Sequence, residues 1–312
     1  MDCLVTGAAG FIGSMLSERL LDLGHRVTGV DCFTDYYSIE IKRANVKTAL
    51  ASPAYRLIED DLLELDLKGL LDGIDWVFHE AAQPGVRLSW GSYFEVYVRN
   101  NILVTQKLLE AAKGSGIRKL VYASSSSVYG DSPELPLVET ARPQPVSPYG
   151  VTKLAAEHLC HLYCVNYGVP TTSLRYFTVY GPRQRPDMAF NKFIRSALKG
   201  EEIVVFGDGE QTRDFTFVLD AVQANILAAE TEEAVGRVFN VGGGSSISVN
   251  GVLEILGELV GPLSVRHEED QKGDVRHTMS ETAAVREILG YSPEVGIREG
   301  LAREVEWMHS LP

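Results

Sequence analysis

The sequence predicts an α/β protein with a doubly wound parallel sheet and a smaller C-terminal domain that binds a substrate. Five short apolar runs in the first half alternate with helix-length segments: "CLVT", "RVTGVD", "YRLIEDD", "DWVFHEAA" and "KLVYASSSS". This alternation is typical of parallel βαβ units. The uninterrupted apolar run of Trp76, Val77 and Phe78 indicates a strand covered by helices on both faces.

The pattern changes after "TSLRYFTVYG", which indicates the second domain. A loop rich in proline and arginine is followed by a predicted helix near Ala189 to Lys199 and by a short strand in "EIVVFGDG". We interpret "DFTFVLDAVQANILAAE" and the strand "RVFNVGGG" as a return to the main sheet. The predicted domains are therefore residues 1–177 plus 214–244, and residues 178–213 plus 245–312.

Composition narrows the class of protein. The chain has 312 residues, 45% hydrophobic and 23% charged, with a formal net charge of −13. An acidic surface repels polyphosphate, so we expect neither nucleic acid nor an anionic membrane as a partner. The first strand follows the initial methionine directly, and no later run has the length of a membrane span. We expect a cytoplasmic protein.

The cysteines do not predict a disulfide framework, and their spacing fits a reducing compartment. Four potential metal ligands lie close together in the sequence, namely His158, Cys160, His161 and Cys164. On a single helix His158 points away from Cys164, so the four cannot surround one zinc ion. We predict no metal site.

A glycine-rich loop follows the first strand. In "VTGAAGFIG", Gly7, Gly10 and Gly13 lie before and within a helix that should begin near Phe11. Such a loop lets backbone N–H groups approach a pyrophosphate and points a helix N-terminus at negative charge. Asp31 ends the second strand at the spacing of a carboxylate that binds a ribose diol. Together they predict a Rossmann dinucleotide site.

The residues around that carboxylate favour NAD over NADP. Asp31 would repel a 2′-phosphate, and the following Cys32, Phe33 and Thr34 include no arginine to bind one. Asp61, after the third strand, is either an adenine contact or an ordinary surface carboxylate.

A helix that starts in "SPYGVTKLAAEHL" carries the candidate catalytic pair. Tyr149 and Lys153 are four residues apart and therefore share a helix face. A phenol has an ordinary pKa of about 10, so it needs a neighbouring cation to act as a base near neutral pH. Lys153 supplies that charge. Ser125, in "ASSSSVYG", offers a hydroxyl that could relay a proton to a substrate alcohol.

These motifs resemble a known family. "TGAAGFIG", "SSSSVYG", "SPYGVTK", "LRYFTVYGPRQRPDMAF" and "FGDGEQTRDF" are similar to the extended short-chain dehydrogenase/reductase superfamily, and within it to the nucleotide-sugar 4-epimerases. The resemblance implies a catalytic trio of Ser125, Tyr149 and Lys153. It implies NAD contacts from Gly7, Gly10, Phe11, Ile12, Gly13, Asp31, Asp61, Leu62, Ala81, Ala82, Asn101, Tyr149 and Lys153.

The same resemblance implies how a substrate is held. Arg213 in "TRDF" and Arg276 in "GDVRH" are expected to contact the diphosphate of a UDP-sugar or the adjoining ribose, and Arg185 is expected to join them. Guanidinium donors form a planar fork that matches two phosphate oxygens. Arg87, in "AAQPGVR", is also expected to bind the substrate.

The sugar is inferred from residues that differ among relatives. Sugar-nucleotide dehydratases carry an Asp-Glu pair where this chain has Ser126 and Ser127. Thr178 follows "RYF", where UDP-glucose 4-epimerases usually have Asn. These hydroxyls, with "AAQPGVR", resemble the UDP-glucuronate 4-epimerases, although many of those carry Trp-Gly at Arg183 and Gln184.

The sequence therefore predicts NAD-dependent inversion at C4 of a UDP-hexuronic acid, UDP-glucuronate to UDP-galacturonate, through a 4-keto intermediate. The alternatives are a UDP-glucose 4-epimerase and a catalytically silent, NAD-binding regulatory protein. The resemblance also implies a homodimer formed through two helices per subunit.

Overall fold

The computed structural model describes residues 1–269 and 273–311. The strands are β1 (Asp2–Thr6), β2 (Arg26–Val30), β3 (Tyr55–Ile58), β4 (Trp76–His79), β5 (Lys119–Ser125), β6 (Thr171–Tyr176), β7 (Thr178–Tyr180), β8 (Ile203–Phe206), β9 (Thr212–Phe217), β10 (Val238–Val241), β11 (Ser246–Ser248) and β12 (Val265–Glu268). The helices are α1 (Phe11–Asp22), α2 (Ile39–Leu50), α3 (Leu67–Leu71), α4 (Phe94–Tyr97), α5 (Val104–Ala112), α6 (Pro148–Tyr167), α7 (Ala189–Lys199), α8 (Val218–Glu230), α9 (Val249–Val260), α10 (Ala283–Leu289) and α11 (Ile297–His309). A π-helical segment, Val98–Leu103, joins α4 to α5.

The main sheet confirms the predicted fold class. Seven parallel strands lie in the order β10-β6-β5-β4-β1-β2-β3. Chain order reverses between β1 and β4, so a crevice opens beyond the carboxyl ends of these strands. Two apolar layers cover the sheet, one containing α1 and α8 and the other containing α5 and α6.

Two small sheets complete the fold. One has the order β11-β9-β7 and the other pairs β12 with β8. The interpretation that "DFTF" returns to the main sheet is wrong, because β9 pairs with Thr178–Tyr180 and Ser246–Ser248 instead. A short apolar run does not reveal which sheet edge it will join. The rest of that interpretation is confirmed, since α8 contacts β5 and β6, and β10 pairs with β6.

The predicted division into domains stays a prediction, and its boundary at residues 213 and 214 falls inside β9. The helix predicted from Ala189 to Lys199 is confirmed as α7. Within the described residues, 1–269 and 273–311, we find no helix with the length and apolar character needed to cross a membrane.

Local sequence explains where α6 begins and ends. Ser147 caps its N-terminus by accepting a hydrogen bond from the Gly150 N–H at 3.1 Å, and Pro148 occupies the first turn. Gly168 ends the helix with a left-handed φ of 67°. These signals set the register of the helix that carries Tyr149 and Lys153.

A buried ion pair braces the neighbouring strand ends. Arg175 on β6 donates to Glu157 on α6 at 2.6 and 3.0 Å, and the Ser124 hydroxyl donates to the same carboxylate at 2.6 Å. Removing either charged partner would leave an uncompensated buried charge, a loss of about 3 to 5 kcal/mol.

Candidate active site

A cavity lies at the carboxyl edge of the main sheet. The predicted site residues that line it are Gly7, Gly10, Phe11, Ile12, Gly13, Asp31, Asp61, Leu62, Ala81, Ala82, Tyr149, Lys153 and Arg185. Residues far apart in the sequence thus meet where β1, β2, β4 and β5 end.

The glycine loop forms the base of the cavity. Gly7 turns the chain with a φ of 69°, and a Cβ at Gly13 would lie 2.3 Å from the Gly7 carbonyl oxygen. The loop and α1 therefore pack at a distance that only glycine permits. Gly10 caps α1 without a side-chain hydrogen bond, and the first turn contains no acidic residue. The positive end of the α1 dipole is available to an anion.

Asp31 is oriented from two sides. Its carboxylate accepts hydrogen bonds from the Ala9 N–H at 3.1 Å and the Phe33 N–H at 2.8 Å. Lys42, a buried residue of α2 that also lines the cavity, places its Nζ 3.7 Å from Asp31. Lys42 is not indicated by the sequence, because it lies eleven residues after Asp31 rather than directly after β2.

The side chains of Asp61 and Asn101, two of the predicted cofactor contacts, already form hydrogen bonds within the protein. Asp61 lines the cavity and accepts a hydrogen bond from Arg99 at 2.7 Å. The Asn101 amide is committed to the Gln83 backbone at 2.7 and 3.1 Å and to the Thr152 hydroxyl at 2.9 Å. Its neighbour Asn100 lines the cavity instead. Asn101 thus braces the cavity wall.

Tyr149 and Lys153 lie side by side in the cavity wall. Lys153 Nζ donates to the Ala123 carbonyl at 2.6 Å, and burial lowers the pKa of Lys153 to about 8. Burial also raises the pKa of Tyr149, while a hydrogen bond with Ser125 and the charge of Arg185 lower it. Ser125 is therefore placed as predicted beside the phenol. Arg185 is thus a cation that acts on Tyr149 in this structure. The assignment of that task to Lys153 stays a prediction.

The hydroxyls predicted to contact the sugar lie at the same edge of the sheet. Ser125 is paired with Tyr176 across β5 and β6. The chain continues from these two positions into Ser126 and Ser127 on one side and into Thr178 on the other. All three hydroxyl residues are half-buried. Their common location follows from strand register, which the sequence alone does not specify.

A second group of charges is built around three of the predicted arginines. Arg213 donates to the Arg276 carbonyl at 3.2 Å, and Arg87 donates to Asp274 at 2.9 Å. Asp274 also acts electrostatically on Arg213, whose pKa is lowered by burial. Arg276 forms a two-point ion pair with Asp208 at 2.9 and 2.7 Å. We call Arg87, Arg213 and Arg276 the arginine cluster.

The remaining arginines of the Pro/Arg-rich loop lie elsewhere. Arg183 donates to Glu18 of α1 at 2.9 and 3.0 Å, so its charge is neutralised by a side chain of the protein and not by a ligand. Arg185 donates twice to Asp187 at 3.0 Å and faces the cavity. That Arg185 binds the diphosphate together with Arg213 and Arg276 stays a prediction. In this structure Arg185 lines the same cavity as Tyr149.

No cluster of three or more histidine, cysteine or acidic side chains with the geometry of a metal site occurs in residues 1–269 and 273–311. The four cysteines are free thiols.

Comparison with known proteins places this geometry in a family. Residues 3–242 match the model of the NAD dependent epimerase/dehydratase family. The chain is 42% identical over 313 residues to an uncharacterized UDP-glucose epimerase of Bacillus subtilis, covering 100% of this chain and 99% of that protein. It is 40% identical to the UDP-glucuronate 4-epimerase of Thermodesulfobacterium geofontis, covering 97% and 95%.

A solved structure agrees closely. The UDP-glucuronic acid 4-epimerase from Bacillus cereus, in complex with UDP-glucuronic acid and NAD, superposes with a TM-score of 0.97 at 42% identity, covering 99% of each chain. Fold and sequence similarity extend together over nearly the whole chain. The protein therefore belongs to the NAD dependent epimerase/dehydratase family.

Proposed function

We propose that this protein is an NAD-dependent isomerase that inverts C4 of a UDP-hexuronic acid and interconverts UDP-glucuronate and UDP-galacturonate. One observation carries the proposal most directly: Tyr149 and Lys153 line the cavity that contains the glycine loop, Ser125 forms a hydrogen bond with Tyr149, and Ser126, Ser127 and Thr178 follow the ends of the neighbouring strands. The similarity to a UDP-glucuronic acid 4-epimerase over 99% of the chain supports it.

The cavity fits NAD. The glycine loop and the uncapped start of α1 suit a pyrophosphate, and Asp31 is held by two backbone N–H groups where a ribose diol would bind. When bound there, NAD supplies a reversible hydride acceptor for the sugar carbon. The protein supplies orientation and proton transfer.

Tyr149 is the proposed base. As a phenolate, its Oη takes the proton of the C4 hydroxyl while Ser125 holds that hydroxyl in line. Burial opposes the phenolate, so nearby cations must favour it, and Arg185 and Lys153 are the candidates. The same phenol returns the proton when the 4-keto sugar is reduced.

Inversion requires that the 4-keto ring present each of its faces in turn. A sugar held at every hydroxyl could not rotate, so binding energy must come from UDP. The arginine cluster, Arg87, Arg213 and Arg276, supplies charged donors suited to a diphosphate. None of the three is among the described residues that line the cavity with Tyr149, which supports a substrate held at one end and free at the other.

Ser126, Ser127 and Thr178 are the proposed contacts of the uronate carboxylate. Small hydroxylic side chains can donate to a carboxylate without adding the acid–base pair that elimination needs. A UDP-glucose 4-epimerase remains the second candidate, favoured by the name of the Bacillus subtilis relative. Relative turnover of the two UDP-sugars decides between them.

We further propose a homodimer. Apolar side chains are exposed along the outer faces of α6 and the adjoining segment 98–103, among them Val98, Leu103, Leu162, Val165 and Tyr167. Exposed apolar side chains on two adjoining elements favour an interface there. Light scattering of the native chain and of Val165→Glu tests it; a native monomer contradicts it.

Free thiols at all four cysteines support a reducing, cytoplasmic location.

The decisive experiment follows C4 configuration by NMR after incubation of the protein with UDP-glucuronate or with UDP-glucose. We expect inversion of UDP-glucuronate but not of UDP-glucose. We expect Tyr149→Phe to lose this activity while it still binds NAD and UDP. Preferred turnover of UDP-glucose would select the second candidate. Tight NAD retention without turnover of any sugar nucleotide would indicate a silent regulatory protein.

A further inference from the structure

Glu80 is an acidic side chain in the cavity wall with no role in the chemistry described above. It directly follows β4 and lines the cavity together with Lys153. Its Oε1 accepts a hydrogen bond from the Tyr176 hydroxyl at 2.8 Å. Asn225 of α8 donates to that hydroxyl at 2.6 Å and to the Ala221 carbonyl at 2.9 Å. These hydrogen bonds therefore fix the orientation of the Glu80 carboxylate.

Lys153 shares α6 with one buried carboxylate, Glu157, which is ion-paired with Arg175 at 2.6 Å. The Lys153 Nζ donates to the Ala123 carbonyl at 2.6 Å and lies 4.9 Å from the centre of the Tyr122 ring. A carbonyl and a ring face offer only partial charges. The side chain is 3% exposed, so water cannot stabilise the ammonium group. A carboxylate that lines the same cavity can.

The other titratable or charged groups around this pair include His79 on β4, Tyr122 on β5, Tyr149, Glu157 and Cys160 on α6, Tyr176 on β6, and Arg185 in the cavity wall. Burial raises the pKa of each phenol and of the Cys160 thiol. It lowers the pKa of His79 to about 3. The histidine, the three phenols and the thiol are therefore neutral near pH 7 in the free protein. Glu157 is already paired with Arg175, so Glu80 is the carboxylate in this group whose charge is available to Lys153.

We propose that Glu80 is a positioning residue that, as a carboxylate, holds the Lys153 side chain in its ammonium form in the cofactor cavity and thereby sets the alkaline limit of turnover. The second half rests on the proposed function. Burial raises the pKa of Glu80 to about 7, and Lys153 opposes that rise. Burial lowers the pKa of Lys153 to about 8, and Glu80 opposes that fall. The two charges support each other.

The coupling is measured without substrate. Infrared titration of the NAD-bound protein follows the C=O band of the protonated Glu80 carboxyl, assigned by its loss in Glu80→Gln. Because an adjacent cation favours the carboxylate, Lys153→Met should raise the midpoint by roughly one pH unit. A midpoint unchanged by Lys153→Met overturns the proposal, even if the protein epimerises no sugar.

The effect on turnover is measured from kcat/KM against pH. Without the Glu80 charge, Lys153 loses its proton at lower pH, so Glu80→Gln should move the alkaline limb down by roughly one pH unit. Glu80→Asp should restore most of the shift, and Glu254→Gln, an exposed change on α9, should leave the limb in place. A limb that does not move in Glu80→Gln, despite a coupled infrared titration, refutes the link to turnover.

Discussion

Lys42 Nζ lies 3.7 Å from a carboxylate oxygen of Asp31, and both side chains line the end of the cavity that suits a ribose. Lys42 also donates to Thr34 at 3.1 Å. The preference for NAD thus depends on a carboxylate that repels a 2′-phosphate and at the same time neutralises a cation able to bind one.

Asp31→Asn should consequently bind NADP about ten- to a hundredfold more tightly than the native protein. A charge-assisted hydrogen bond from Lys42 is worth about 1.5 to 3 kcal/mol, and the repulsion disappears. Calorimetry with NAD and NADP measures this. Asp31→Asn combined with Lys42→Met should lose the gain; a gain that persists assigns the phosphate contact to another group.

Arg185→Gln should move the acid limb of turnover to higher pH. Burial raises the pKa of Tyr149 and Arg185 lowers it, so losing that cation raises it further. The phenolate exists above this pKa and disappears as the pH falls through it. The pH dependence of kcat/KM shows the shift, and Arg185→Lys should largely retain the native profile. If Arg185→Gln leaves the acid limb in place but weakens UDP binding, Arg185 contacts the diphosphate instead of acting on Tyr149.

Arg213→Ala should weaken UDP about as much as UDP-glucuronate, because the diphosphate is common to both. A buried charge-assisted contact is worth about 1.5 to 3 kcal/mol, or roughly ten- to a hundredfold in Kd. Calorimetry with each ligand provides the comparison. Arg237→Ala is the matched control, because Arg237 is exposed just before β10, at the amino ends of the main-sheet strands. A loss confined to the UDP-sugar would place Arg213 at the sugar.

Thr178→Ala should lower turnover of UDP-glucuronate more than that of UDP-glucose and should release more carbon dioxide and 4-keto-pentose. A C4 ketone makes the uronate a β-keto acid, which decarboxylates when its carboxylate bond aligns with the carbonyl π system. One hydrogen bond to the carboxylate is worth about 1.5 to 3 kcal/mol and also restricts its rotation. NMR of the products measures both. Unchanged uronate preference and carbon dioxide release would reduce Thr178 to a packing residue.

Glu304→Gln should make the protein more stable at pH 8 than the native chain. Glu304 of α11 is buried, accepts from the Gly181 N–H at 2.9 Å, and has its pKa raised by burial to about 8 from an ordinary value of 4.5. Its contribution to stability is therefore complete below about pH 4.5 and is lost as the pH rises through about 8, a change on the order of 4 kcal/mol.

Denaturant unfolding at several pH values tests this expectation. The native free energy of unfolding should decline across that range, and the decline should be smaller in the variant. Identical pH dependence in both proteins would show that Glu304 does not govern it.

The sequence by itself determined the features that depend on local pattern. The alternation of apolar runs and helical segments predicted the main sheet, and the glycine loop, Asp31 and the Tyr149–Lys153 spacing predicted a dinucleotide cavity with a base in its wall. Each is encoded within a few turns or one βαβ unit, where backbone geometry converts spacing directly into position.

Only the tertiary structure decided which distant charges meet. It paired Arg183 with Glu18, placed Lys42 beside Asp31 and Arg185 near Tyr149, brought Glu80 and Lys153 into one cavity, and assigned β9 to a small sheet. Parallel strands that are far apart in the chain end at one edge, and the distances there depend on register and loop path. A linear sequence contains no local signal for either quantity.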